Sequence, residues 1–425
     1  MIGSQMRKLM PLCILVFAAS GLAGPTSRSE LAKPDGDKLI VHEWGTYLSV
    51  QGSDGVTLGG MIDSEEKLPL FVHEEALAGR NRACLFCKVE TPVTYFYVDR
   101  PRTVEVRAAM PEGKLTHWYP AVRDFGPLTP TCKAPARDSY INWGKVELFP
   151  DVRDKAAGFS LLIPGFRPVA RDDTWRFVRD TDSAFVKMDR TNPKLKSRPQ
   201  GQVEKFLFYR GLGTFELPLK VEYREDSVHQ LQLTNRGPDT LQGIFAVEVK
   251  GNSIGFKKIN DLGAELSSTE YFRTSLVNSQ PLQEGVPVVK QEVAAALVQA
   301  GLYPKEARAM VNNWEHSYFR TEGFRILYIL PRSFADRTLP IEIKPAPQEL
   351  VRVMVGRVEV LTPGTEQRIE KAVADLNSPD PAVQKSAATE LARLGRLQEP
   401  ALRRVVAMTS DDAVRAGAEA LLSKK

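Results

Sequence analysis

His42-Glu43 in VHEWGTY and His73-Glu74 in FVHEEA place two imidazole–carboxylate pairs in the first eighty residues of a chain that holds five histidines. Imidazoles and carboxylates carry general acid–base catalysis and, in groups of three or more, bind divalent metals. His42, Glu43 and Asp182 are the candidate catalytic residues, and His42, His73 and His117 the candidate metal ligands. The spacing supplies no ready-made site. On a strand, neighbouring side chains point to opposite faces, so His42 shares a face with Trp44 and Glu43 takes the other. Nothing reads H-E-x-x-H, the helical spacing that brings two imidazoles and a base together. The histidines would have to converge through the fold.

Other motifs carry chemistry in name only. GNSIG, residues 251–255, matches the nucleophile-elbow pattern, but FKKINDLG follows it without a helical face, so a loop between strands is expected. RDTDSAF has two carboxylates where a calcium loop needs more oxygen donors, and YRGLGTF reads as a turn lacking the Lys-Ser/Thr of a phosphate loop. CLFCK is followed at once by the strand-like VETPVTYFYV, whereas a redox dithiol usually opens a helix. Cys84 and Cys87 therefore read as structural or incidental, with metal or redox chemistry as the sharper alternative. Trp44, Trp118, Tyr119, Arg179 and Arg210 are the candidate binding residues. Trp143, Trp175 and Trp314 would extend a stacking platform if exposed, although single aromatics in β-rich chains are mostly core. No cofactor motif is evident.

The N-terminus reads as an export signal. Arg7 and Lys8 precede the apolar run Leu9–Leu22, and small residues ending at Ala23 supply a cleavage site. The run is short for a membrane span, which predicts an exported protein, periplasmic or extracellular, without a membrane anchor. Removing residues 1–23 takes the formal net charge from +5 to +3. So small a surplus, with no basic block, argues against nucleic-acid binding. Cys84, Cys87 and Cys132 would remain, an odd number in a compartment that permits disulfides.

These residues are positioned by a chain that is mostly strand from Lys38 to about Val360. KLIVHEWGTYLSV, TPVTYFYV, TVEVRAAM, KFLFYR, IFAVEVK and FRILYIL are β-branched or aromatic runs separated by turns such as DRPR, MPEG and NRGPD. Many strands without intervening helices predict a mainly β, antiparallel, sandwich-like fold over 38–363, after a linker at 24–37. In LVRVMVGRVEVL the valines change parity around Gly356, which predicts a bulge there. VVKQEVAAALVQAGL and PKEARAMVNNWEHSYF predict a helical hairpin at about 288–318. Beyond Thr362-Pro363 the periodicity turns helical, and Asp380-Pro381 starts a second helix. DPAVQKSAATELARLG resembles HEAT-type repeats, so residues 364–425 are expected to be a small all-α, HEAT-like segment. So short a stack must dock on the β-domain or meet a protein partner.

VHEWGTY, VETPVTYFYVDRP, THWYP, RDTDSAFV, KFLFYRGLGTFELPL, GLYPKEARAMVNNW and VRVMVGRVEVLTP together resemble an uncharacterised family of large exported bacterial proteins, over residues 38–363. The resemblance implies export but no activity, ligand or catalytic residue. The expectation is an exported binding or scaffold protein. The alternative is a hydrolase, possibly metal-dependent, using His42 and Glu43.

Overall fold

A computed structural model of the chain describes residues 38–62, 67–75, 82–127, 137–151, 163–188, 201–272 and 279–423. The expected signal peptide and linker, and Cys132, lie outside the described residues. The structure is mostly β, with mixed and antiparallel sheets and a set of C-terminal helices.

The strand Leu39–Gln51 is the axis of the fold. Of its thirteen residues all but Ile40 are buried. It pairs antiparallel with Cys87–Val98 on one side and parallel with the final strand, Glu349–Val360, on the other. The expectation of a wholly antiparallel arrangement is thus corrected, because the first and last strands run side by side in the same direction. Both are buried on two faces, as strands in the middle of a sheet are. Around them the large sheet runs in the order Gln280–Pro281, Ser253–Ile259, Gln242–Lys250, Gly323–Ile329, Glu349–Val360, Leu39–Gln51, Cys87–Val98, Leu207–Gly213, Gly113–Tyr119, His73–Glu74. Smaller antiparallel sheets are built around Arg102–Met110 with Ser139–Phe149, and around Leu219–Glu225 with His229–Asn235.

Alternation along the strands sorts side chains into separate cores. Val41, Tyr47, Val358 and Val360 join a core shared with residues of both smaller sheets, including Val106, Ile141, Val221 and Leu233. Trp44, Val93, Leu327, Val353 and Val355 meet the helices Leu282–Gln299 and Pro304–Asn313. Leu48 and Val50 meet the C-terminal helices.

Two sequence expectations fail here for identifiable reasons. Glu349–Val360 keeps unbroken register with both neighbours, so there is no bulge at Gly356. The face begun by Val351, Val353 and Val355 is continued by Arg357 and Glu359, both buried, and the apolar pattern merely changes sides. Gly356 is needed for another reason: a Cβ there would stand 2.3 Å from the ring of Tyr328 on the next strand. YRGLG is not a turn either. Leu207–Gly213 is a fully buried strand, and its register slips at Arg210/Gly211 against Gly113–Tyr119.

The helical insert begins at Leu282, upstream of the expected start, with Pro287 inside the first helix. Gly301, at φ +115°, ends that helix and Pro304 opens the next. At the C-terminus, Thr362 and Asp380 cap the helices Pro363–Asp375 and Pro381–Arg393 by accepting from the backbone N–H of Thr365 and Ala382. The helices Gln398–Met408 and Asp412–Ser423 complete the group. Ile369, Val373, Leu391 and Val405 share one core with Leu48, Val50 and Leu58 of the large sheet. No helix among the described residues is long and apolar enough to cross a membrane.

Candidate ligand-binding site

His42 and Glu43 point to opposite sides of their strand and enter separate networks. His42 is 1% exposed, and its Nδ1 lies 2.8 Å from Glu306 Oε2. Tyr97 donates its hydroxyl to Glu306 Oε1 at 2.7 Å, and the backbone N–H of Tyr303 donates to Oε2 at 2.8 Å. The rings of Tyr303 and Tyr97 pack against the imidazole, with centroids at 4.3 and 5.4 Å. Glu43, on the other face, accepts from Arg352 Nε at 2.6 Å and from the hydroxyls of Thr94 and Tyr209. Arg352 reaches on to Asp336 and to the carbonyl of Leu339. Burial alone would lower the Arg352 pKa, but the Glu43 charge prevails and raises it.

The remaining candidates are dispersed. His73 Nε2 lies 3.4 Å from the Gln202 amide and stacks toward Tyr119. His117 Nδ1 lies 2.9 Å from Thr116 Oγ1, and its Nε2 is 3.7 Å from the exposed Glu74. Asp182 forms a surface ion pair with Lys305 at 2.6 Å. Among the described residues, no group of three His, Cys, Asp or Glu side chains is placed to hold a metal ion. Cys87 is buried, and burial pushes its thiol well above its ordinary pKa, the opposite of a reactive cysteine. Ser253 opens the strand Ser253–Ile259 after a tight turn, with no helix behind it. Trp44 and Trp118 are core residues, as are Trp143 and Trp314.

Concavity appears instead around Arg210. A narrow cleft whose enclosed space is about 20 Å³, room for a single water, lies on the face of the large sheet that carries the helical insert. Val93, Phe206 and Phe208 line it from the sheet, and Trp175 from the short helix Trp175–Val178. Trp175 is fixed from behind. Its Nε1 donates to Glu204 at 3.1 Å, and Arg179 clamps the same carboxylate through two nitrogens, at 3.0 and 2.6 Å. Arg179 therefore positions a wall of the pocket rather than lining it. Tyr119 packs behind that wall, its ring 6.5 Å from Trp175.

Polar groups converge on the same space. Arg210 enters where its strand slips register with both neighbours, and Thr91 opposite adopts φ +51°. Bulges of this kind re-aim side chains toward functional sites. Asn313, last residue of the helix Pro304–Asn313, also lines the pocket. It is buried, at 5% exposed. Lys67 and Asp173 complete the lining. Of the residues singled out from sequence as binding candidates, Arg210 alone lines the pocket. Trp175 was legible as an aromatic, whereas Asn313, Phe206 and Phe208 lie inside the resemblance motifs but carry no chemical signature of their own.

Beside the pocket runs a band of buried charge. Burial first, and then the Arg210 and Arg396 charges, bring Lys88 down to about 8, against the opposing pull of Glu90. Burial, Arg210 and Lys88 together hold His117 down to about 4, so it is neutral at ordinary pH. Burial would raise Glu359, yet Arg325, Arg357 and Arg396 hold it at about 2.

No protein-family model matches the chain, and no curated protein matches it. Among solved structures, the mu homology domain of Fcho1 from Danio rerio, with a bound Eps15 peptide, aligns over 76% of this chain and 94% of its own at 9% identity, with a TM-score of 0.26. The yeast delta-COP-I mu-homology domain complexed with a Dsl1 WxWxV peptide aligns over 77% and 98% at 9% identity, also at 0.26. TM-scores this low define no common fold, so function has to be read from the pocket and the residues around it.

Proposed function

We propose that the protein is an exported binding protein, related to the family its motifs resemble, whose ligand enters the pocket between Trp175, Arg210 and Asn313. The observation that carries this reading is the convergence of Arg210, Lys67 and Asn313 with three aromatic rings on one cleft. Apolar lining with a few convergent polar groups is the usual make-up of a ligand site. In this reading the large sheet and its smaller neighbours pack as a sandwich. The C-terminal helices act as a HEAT-like brace whose outer surface is free for a protein partner. A hydrolase built on His42 and Glu43 would need both in one site, and they occupy opposite faces of a strand, each buried in its own network.

A ligand-observed NMR screen of small molecules against the purified protein and its Asn313→Leu variant tests the proposal. Binders that are lost in the variant, at an unchanged melting temperature, are the expected result. A screen without any Asn313-dependent binder would leave a scaffold without a small-molecule site there.

A further inference from the structure

We propose a second ligand site, independent of the Arg210 cleft, that takes a dipeptide with both termini free. It lies in a hollow of about 290 Å³ lined by Leu217, Pro218, Asp239, Pro331, Phe334 and Arg337. That volume is close to the lower end of the range for small-molecule sites, about 300–1,000 Å³. Its floor is apolar. Leu217 and Phe334 belong to the core beneath, and Pro218 and Pro331 add rigid faces that carry no N–H donor. The turn that forms one wall is held by Asn235. This buried side chain donates to the carbonyl of Asp239 at 2.8 Å and to those of Leu262 and Gly263 at 3.1 and 3.0 Å. Its Oδ1 accepts from the Gly237 N–H at 2.9 Å. The hollow therefore has its shape before a ligand arrives.

The charges at the hollow have an order. Arg236 and Glu216 answer one another at 3.6 Å, and Glu216 also accepts from Thr57 at 2.9 Å. Asp239 and Arg337 remain. Asp239 Oδ2 accepts from Ser333 Oγ at 2.5 Å, which leaves Oδ1 for a further donor. The Arg337 guanidinium lies 5.2 Å from the centroid of the Phe334 ring and pairs with no carboxylate among the described residues. Ser333, Phe334 and Arg337 share the helix Arg332–Thr338. At about 1.5 Å per residue, Ser333 and Arg337 stand about 6 Å apart along its axis. An acceptor for an ammonium thus lies about one helical turn from a donor for a carboxylate, across an apolar floor. Two extended residues, at about 3.3–3.6 Å each, separate free termini by that length. A single amino acid falls short of the span, and a simple anion would meet like charge at Asp239. The planar guanidinium fork suits the terminal carboxylate and gives the ligand its direction.

The probes are Leu-Leu, its N-acetyl form, which has no ammonium, and its C-terminal amide, which has no carboxylate. Each is titrated calorimetrically into the full chain. Leu-Leu is expected to bind saturably, and each blocked form at least about tenfold more weakly. Arg337→Gln should bring Leu-Leu down to the affinity of the amide while leaving the amide itself unchanged. Asp239→Asn, which keeps an acceptor for Ser333, should do the same with respect to the N-acetyl form. Melting temperatures matching the parent would show that neither change disturbs the fold. No binding of Leu-Leu, equal affinity for the three probes, or a block that weakens binding equally in parent and variant overturns the proposal. Binding that depends on Arg337 but not on Asp239 would mark a plain anion site and overturn the dipeptide assignment.

Discussion

One face of the large sheet is covered by two sets of helices, and the two covers are attached by different chemistry. Under the insert, the sheet offers Trp44, Leu327, Val353 and Val355 to Val289, Val293 and Met310. Polar contacts there are few, mainly the His42–Glu306 pair and the Tyr318–Thr46 hydroxyl bond. Further along the same strands, Arg357 and Glu359 take over from the valines, and Arg325 joins them from the neighbouring strand. Glu359 accepts from Arg325 at 3.2 Å, from Arg357 at 2.6 Å and from Arg396 of the C-terminal segment at 3.4 Å. Arg357 and Arg325 also donate to the carbonyls of Ser317 and Tyr318, so this cluster ties both covers together. Nearby, Arg404 bridges Glu366 and Asp54, and Glu366 accepts from Ser53. Apolar contact can slide or repack, whereas a buried charge cluster tolerates one geometry. The C-terminal helices are consequently fixed in place rather than merely adherent.

Removing residues 364–425 should have the largest effect. It exposes Leu48, Val50 and Leu58 and takes Arg396 away from Glu90 and Glu359. Loss of a cooperative melt is expected. A truncated chain with an unchanged melt would show that the two covers are independent.

Glu359→Gln comes next. It leaves Arg325 and Arg357, each 0% exposed, without their common counter-charge. Breaking a buried pair from one side costs about 3–5 kcal/mol, measurable as a shift of the urea midpoint. A change under about 1 kcal/mol would mean that the cluster is hydrated and the contrast between the covers is overstated.

Acid should separate the two covers as well. Glu359 and Glu90 are held at about 2, below an ordinary value of 4.5. Between those values the unfolded chain binds protons that the folded chain does not, so stability rises with pH across that window. It is present above about 4.5 and is lost as pH falls toward 2. Melting curves across this range should be steeper in pH for the parent than for Glu359→Gln, and parallel curves would refute the assignment.

The smallest effect is expected at the apolar cover. Glu306→Gln keeps the shape of the acceptor but removes its charge from His42, Tyr97 and the Tyr303 N–H, at a cost of about 1–3 kcal/mol. A loss equal to that of Glu359→Gln would erase the distinction drawn between the two attachments.

Much of the local structure was legible, and each success rests on a short-range rule. Thr362 and Asp380 stand before prolines because a cap and a first helical residue have fixed chemistry, and Gly301 stops a helix because it accepts φ +115°. The misreading at Gly356 shows the limit of such rules. Apolar parity alone does not define the buried face, since Arg357 and Glu359 are as buried as Val353 and Val355 before them. A strand residue can be interior and charged when partners come from elsewhere in the chain.

The sequence by itself determined most of the strands, the caps at Thr362 and Asp380, the stop at Gly301, and that His42 and Glu43 cannot share a face. Tertiary structure decided everything that depends on partners far away. Glu306 reaches His42 across 264 residues, and the final strand lies parallel to the first. The pocket gathers Thr91, Trp175, Arg210 and Asn313 from four separate segments. Propensity and alternation act over a few residues, whereas these encounters are set by how the whole chain closes on itself. Asn313 is an ordinary helix-end residue until the sheet, the short Trp175 helix and a register slip beside Arg210 enclose it.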